Sequence, residues 1–148
     1  MTLFELPEES DMIALGRSWS CAFKPGSVIF LSGNLGAGKT TLVRAILREL
    51  GHNGPVKSPT YTLVESYSIN ATTIYHFDLY RIKSVDELEM IGTRDMLGGD
   101  SICFIEWPDR GEGFLPVPDF SINIRHSNRV TGGRVIELIE NAAYSITG

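Results

Sequence analysis

A chain of 148 residues with 43% hydrophobic and 21% charged side chains, 15 Gly and 7 Pro has the make-up of an ordinary globular protein, which excludes disordered and fibrous classes. At this size one domain over residues 1–148 suffices, burying about 68–70% of the surface its unfolded chain exposes. The formal charge of −5 argues against a broad electrostatic grip on nucleic acid, so no direct nucleic-acid binding is expected and any RNA would be held by a partner.

The opening residues carry acids and no basic segment, unlike a signal peptide, and no apolar run approaches the roughly 18 residues that cross a bilayer. A cytoplasmic protein is expected. Met12, Leu15, Trp19 and Phe23 recur at helical spacing behind Ser10 and Asp11, and the pattern stops at Pro25-Gly26. "SVIFLS", Ser27 to Ser32, is a continuous apolar run and reads as a strand covered on both faces. From Thr40, the residues Leu42, Val43, Ile46, Leu47 and Leu50 mark a second helix, which Gly51 closes.

"TYTLVESY" and "TTIYHFDLY" around "SINA" predict an antiparallel hairpin over about residues 60–80, forming one edge of a sheet. Ser84 and Glu87 match a capping box for a short helix, and "TRDML" adds a further turn. "SICFIEW" is a second fully apolar strand. Phe120, Ile122 and Ile124 alternate with polar residues, and "RVIELIE" beyond "HSNRVTGG" completes a closing hairpin. Cys21 and Cys103 have no metal or disulfide spacing and are expected to be buried apolar residues. The expected architecture is α/β, with three layers, a mixed and partly parallel sheet, and antiparallel hairpins.

Between the first strand and the second helix, Gly33-Asn34-Leu35-Gly36-Ala37-Gly38-Lys39-Thr40 satisfies G-x-x-x-x-G-K-[ST], followed by Thr41. Glycines let a loop curl its N–H groups inward, and the helix behind it adds a positive terminus. These residues are the expected phosphate-binding segment of a P-loop NTPase-like domain. Lys39 is placed to serve the β and γ phosphates, and the Thr40 hydroxyl to ligate magnesium.

Such sites take a second metal contact from an acid at the end of a buried strand. Glu106 ends the uninterrupted "SICFIE" and is assigned to the metal, directly or through water. Asp78 ends "TIYHFD", which reads as a half-exposed hairpin strand. It is left either to position or deprotonate an attacking water, or to pair with Arg81. His76 reads as a packed or hydrogen-bonded strand residue rather than a ligand.

Taken together, "GNLGAGKTT", "KSPTYTLVESY", "YHFDLYRI" and "IEWPDR" resemble the TsaE family of small bacterial P-loop ATPases, which serve in making threonylcarbamoyladenosine on tRNA. The resemblance implies ATP and Mg2+ as cofactors and the TsaD and TsaB subunits as partners. It places the metal acid on Glu106, the loop lysine and threonine on Lys39 and Thr40, and the hairpin acid on Asp78. A switch-like segment falls on Ser58 to Val64, with Thr60 and Thr62 nearest the phosphates, and a nucleotide-adjacent tryptophan on Trp107. On residue type alone, Trp107 serves equally as core filler, and the threonines as an ordinary edge strand. Two readings of function compete: a slow ATPase completed by partners, and a module whose interactions ATP binding gates. A small-molecule kinase lacks a convincing acceptor pocket and lid.

Overall fold

The computed structural model describes residues 1–97 and 99–141. Seven strands form one sheet: β1 (Thr2–Leu6), β2 (Val28–Ser32), β3 (Val64–Ile69), β4 (Thr72–Asp78), β5 (Ile102–Glu106), β6 (Phe120–His126) and β7 (Arg134–Glu140). Their order across the sheet is β1-β7-β6-β2-β5-β4-β3. β2 lies between β6 and β5 and is parallel to both, and β5 is parallel to β4. The β3–β4, β6–β7 and β1–β7 pairs are antiparallel. The sheet is therefore mixed, with its parallel ladder in the middle.

Helices α1 (Glu9–Trp19) and α2 (Lys39–Leu50) cover one face, and the short α3 (Asp86–Met90) and α4 (Thr93–Leu97) lie on the other. On the α1/α2 side, Met12, Trp19, Leu42 and Ile46 pack with Ile29, Leu31 and Phe104. Val28, Cys103 and Ile105 point the other way, to Leu79, Ile82 and Leu88. Burial on both faces is why β2 and β5 read as unbroken apolar runs. On the β6 side of β2 neither α3 nor α4 covers the second face, so β6 alternates Phe120, Ile122 and Ile124 with exposed or half-buried residues. Among the described residues no helix is long and apolar enough to cross a membrane.

Two helices come unusually close. A Cβ on Gly16 of α1 would stand 2.8 Å from the Ala45 Cβ and 3.1 Å from the Leu42 carbonyl oxygen of α2. Only glycine admits that spacing without displacing backbone. α2 then ends in a left-handed Gly51, whose neighbour His52 donates its N–H to the Leu47 carbonyl at 2.9 Å.

Several expectations are corrected. α1 starts before Ser10, because the Glu8 N–H donates to the Asp11 carboxylate at 2.9 Å and fixes the first turn there. It ends at Trp19, although Phe23 is still buried, edge-on to Phe104 and Phe120. Cys21 is exposed in the turn after that helix, whereas Cys103 is buried. Residues 60–63 form a turn rather than strand: Leu63 takes a φ of 71° and donates its N–H to the Pro59 carbonyl. The hairpin closes instead at Asn70-Ala71, with φ of 50° and 65°, so Ser68 and Ile69 belong to β3. β4 is interior and buried toward its C-terminal end, because β3 rather than β4 takes that edge of the sheet. β1 is not legible in the sequence, since Leu3-Phe4 breaks the polar–apolar alternation. Phe4 packs inward on Trp19 while Leu3 stays exposed.

Candidate functional site

β2 runs straight into the glycine loop. A Cβ on Gly33 would stand 2.6 Å from the Ile124 carbonyl oxygen, so the loop passes β6 at a distance no other residue allows. Gly38, at φ 115°, turns the chain into α2. The first bond of that helix runs from the Leu42 N–H to the Gly38 carbonyl, leaving the N–H groups of Lys39, Thr40 and Thr41 without helical partners. Three free donors and the positive helix end together suit an anion.

The outer side of the loop is held by Arg134 of β7. Its guanidinium donates to the Ala37 and Gly36 carbonyls at 3.0 and 3.2 Å and to those of Gly132 and Gly133 at 2.8 and 3.1 Å. Ala37 itself is fully buried in the core, while Asn34 and Leu35 face solvent.

Lys39 is 5% exposed, and Asp78 and Glu106 are 4% and 3% exposed. The Lys39 ammonium donates to the Gly33 carbonyl, lies 3.8 Å from Glu106 Oε1, and sits 4.4 Å from the centre of the Trp107 ring. Burial holds its pKa below the ordinary lysine value, an effect that the negative charges of Glu106 and Asp78 partly offset. The two acids are register partners on adjacent parallel strands, Asp78 of β4 beside Glu106 of β5. Asp78 Oδ1 accepts the Tyr80 N–H at 2.9 Å, and Oδ2 accepts the Thr60 hydroxyl at 3.2 Å. Ser58 and Thr60 share a hydrogen bond of 2.9 Å.

These groups meet in one cleft of about 320 Å3, with the glycine loop, Lys39, Thr40 and Thr41 on one side and Ser58, Thr60, Asp78 and Glu106 on the other. Thr62 is not brought in: it is exposed and donates to Glu65 at 3.0 Å, because the turn at 60–63 faces it outward. Trp107 is held beneath Lys39 and beside Tyr80, at a backbone φ of 56°, its indole N–H buried without a hydrogen-bond partner. Arg81 does not pair with Asp78; it stacks on Tyr61, 4.3 Å from the ring centre.

His76 is the hydrogen-bonded strand residue expected, but its partner, a second hollow and the role of Arg134 are not legible in the sequence. His76 Nε2 donates to Glu106 Oε2 at 2.5 Å. A second hollow of about 250 Å3, lined by Glu8, Glu9, Met12, Thr41 and Arg134, adjoins the outer side of the loop. Alternation along β4 could have placed His76 on the same face as Asp78. Nothing local marks Arg134, which is 97 residues from Ala37.

The family model described as "Threonylcarbamoyl adenosine biosynthesis protein TsaE" matches residues 6–136. The chain is 46% identical over 139 residues to the tRNA threonylcarbamoyladenosine biosynthesis protein TsaE of Haemophilus influenzae, covering 90% of this chain and 86% of that one. It is 38% identical over 122 residues to the TsaE protein of Bacillus subtilis, covering 82% and 74%. The crystal structure of YdiB from Bacillus subtilis superposes with a TM-score of 0.77 at 26% identity, covering 97% of this chain and 88% of that one. The fold is that of this P-loop NTPase-like neighbour. The chain belongs to the TsaE family, which takes part in tRNA threonylcarbamoyladenosine biosynthesis.

Proposed function

We propose that residues 1–148 act as one cytoplasmic P-loop ATPase domain that hydrolyses ATP slowly by itself and faster with the TsaD and TsaB subunits during threonylcarbamoyladenosine formation on tRNA. The observation that carries this reading is the convergence of Lys39, Thr40, Asp78 and Glu106 on the cleft at the glycine loop.

The residues present fit a magnesium nucleotide. Two nearly buried carboxylates share one lysine, a balance that favours a further cation. Among the described residues no group of three or more His, Cys, Asp or Glu side chains could hold a metal alone, so phosphate oxygens are needed to complete the shell. Thr40 and Glu106 would hold the ion, which supplies charge neutralisation across the β and γ phosphates.

The N–H groups at the start of α2 and the Lys39 ammonium then bind phosphate oxygens. Asp78, its oxygens oriented by Tyr80 and Thr60, aligns a water and takes its proton as that water attacks the γ phosphorus. The bond to the β-phosphate oxygen breaks, giving ADP and inorganic phosphate. The hollow beside Arg134 offers room for the nucleoside.

A second reading rests on the Ser58–Thr60–Asp78 hydrogen-bond chain, which ties the switch-like segment to the acid. There, ATP binding rather than hydrolysis is the functional event. Magnesium-dependent ATP hydrolysis, measured alone and with the two partner proteins, tests the proposal, with Lys39→Ala and Glu106→Ala as controls. Stimulation by the partners that both variants abolish supports an ATPase. Tight ATP binding without turnover in either condition refutes it. Retained tRNA modification by Asp78→Ala would favour the gating role.

A further inference from the structure

His76 is the one fully buried histidine among the described residues, on an interior strand in the apolar layer beneath α2. Its register partner is Phe104, and two residues further along the same ladder Asp78 stands opposite Glu106. Because side chains alternate along a strand, His76 and Asp78 share a face of β4, as Phe104 and Glu106 share the matching face of β5. The imidazole therefore lies one ladder step behind the two acids.

Its polar atoms serve nothing else. Nδ1 is buried without a hydrogen-bond partner, while Nε2 donates to Glu106 Oε2 at 2.5 Å. An imidazole in a core with one nitrogen unsatisfied is unfavourable relative to a leucine of similar volume. Glutamate has three side-chain torsions, and among the described residues His76 is the donor that fixes its carboxylate from the core side. With Oε2 occupied by His76, Oε1 is the oxygen turned toward Lys39, at 3.8 Å.

We propose that His76 is a positioning residue for the metal-binding carboxylate: its Nε2–H locks Glu106 so that one oxygen is presented to the cation of the bound nucleotide. The inference rests on the magnesium-nucleotide reading above. A partner of this kind to a ligating carboxylate typically sets about 10- to 100-fold in metal affinity.

The test uses the full chain and a fluorescent ADP analogue, titrated with and without magnesium. His76→Leu should raise the magnesium concentration needed for half-maximal enhancement of binding by about 10- to 100-fold, with metal-free affinity within about twofold of the parent. His76→Gln, whose amide reaches the same carboxylate oxygen, should restore the parent's midpoint. His76→Asn, a polar group too short to reach Glu106, should behave like the leucine variant and serves if that variant fails to fold. A parent-like midpoint in the leucine and asparagine variants, or a glutamine variant no better than either, overturns the proposal. An equal loss with and without magnesium overturns it too, leaving His76 as a packing residue. A parent chain whose binding ignores magnesium brings down the magnesium-nucleotide reading itself, and this inference with it.

Discussion

Replacing Glu106 with glutamine should change nucleotide affinity in opposite directions according to whether magnesium is present. The Lys39 ammonium stands 3.8 Å from Glu106 Oε1, a separation at which an effective dielectric of about 20 gives about 4 kcal/mol of attraction. That attraction competes with any phosphate for the same cation, and the carboxylate also repels phosphate directly. Glutamine is nearly isosteric and can still accept the His76 N–H, so the cleft keeps its shape. Asp78 remains as a counter-charge to Lys39 and retains part of the attraction. About 1–2 kcal/mol of the attraction is then released to the nucleotide, an increase of about 5- to 30-fold in metal-free affinity.

With magnesium the sign reverses. Under the magnesium-nucleotide proposal the variant would lose an anionic ligand for the ion, and binding should weaken by at least about tenfold. Fluorescence titration of an ADP analogue, once in chelator and once in excess magnesium, reads both numbers from one preparation. Weaker binding in both conditions would refute the reasoning, because it would mean that Glu106 supports the loop rather than competing for Lys39.

Gly16→Ala should lower stability by about 1 kcal/mol, since about 1–3 kcal/mol of overpacking against Ala45 and Leu42 outweighs about 1 kcal/mol of helix propensity. Calorimetry should show Tm falling by about 2–4 °C, and a smaller fall in an Ala45→Gly background, where only the Leu42 contacts remain. Ala71→Gly should raise the urea midpoint, because it relieves about 1 kcal/mol of left-handed strain at φ 65°. A lower midpoint would contradict the turn assignment. Burial pushes the Cys103 thiol up from 9.0 to about 12, so the folded chain keeps a proton that the unfolded chain loses. Stability should therefore fall as pH rises between those values, by up to about 1.4 kcal/mol per pH unit. Unfolding curves across that range should lose this component in Cys103→Val, while exposed Cys21 alone reacts with thiol reagents in the native state.

What was legible in the sequence was whatever is encoded locally. The glycine loop, the doubly buried β2 and β5, and the alternation of β6 announce themselves because spacing alone carries the signal. Glu106 at the end of an apolar run belongs to the same class. The turn at 60–63 was hidden because Thr60, Tyr61 and Thr62 are strong strand formers, while Leu63 adopts a left-handed conformation that its identity disfavours. β4 reads as half-exposed because tyrosine and histidine look like surface residues until Glu106 is seen to partner the histidine. Arg134 is an ordinary strand-end cation in sequence. Its role exists only once β7 has been carried back beside the glycine loop.

That grip by Arg134 has a kinetic consequence. Four carbonyls on two separate segments are fixed by one planar group, so the glycine loop is shaped before any anion arrives. A preorganised loop has little conformational freedom left to surrender on binding. Nucleotide capture should then follow a single fast bimolecular phase, its rate linear in nucleotide concentration. Severing the tether would add a slower step that saturates as the loop waits to find its shape.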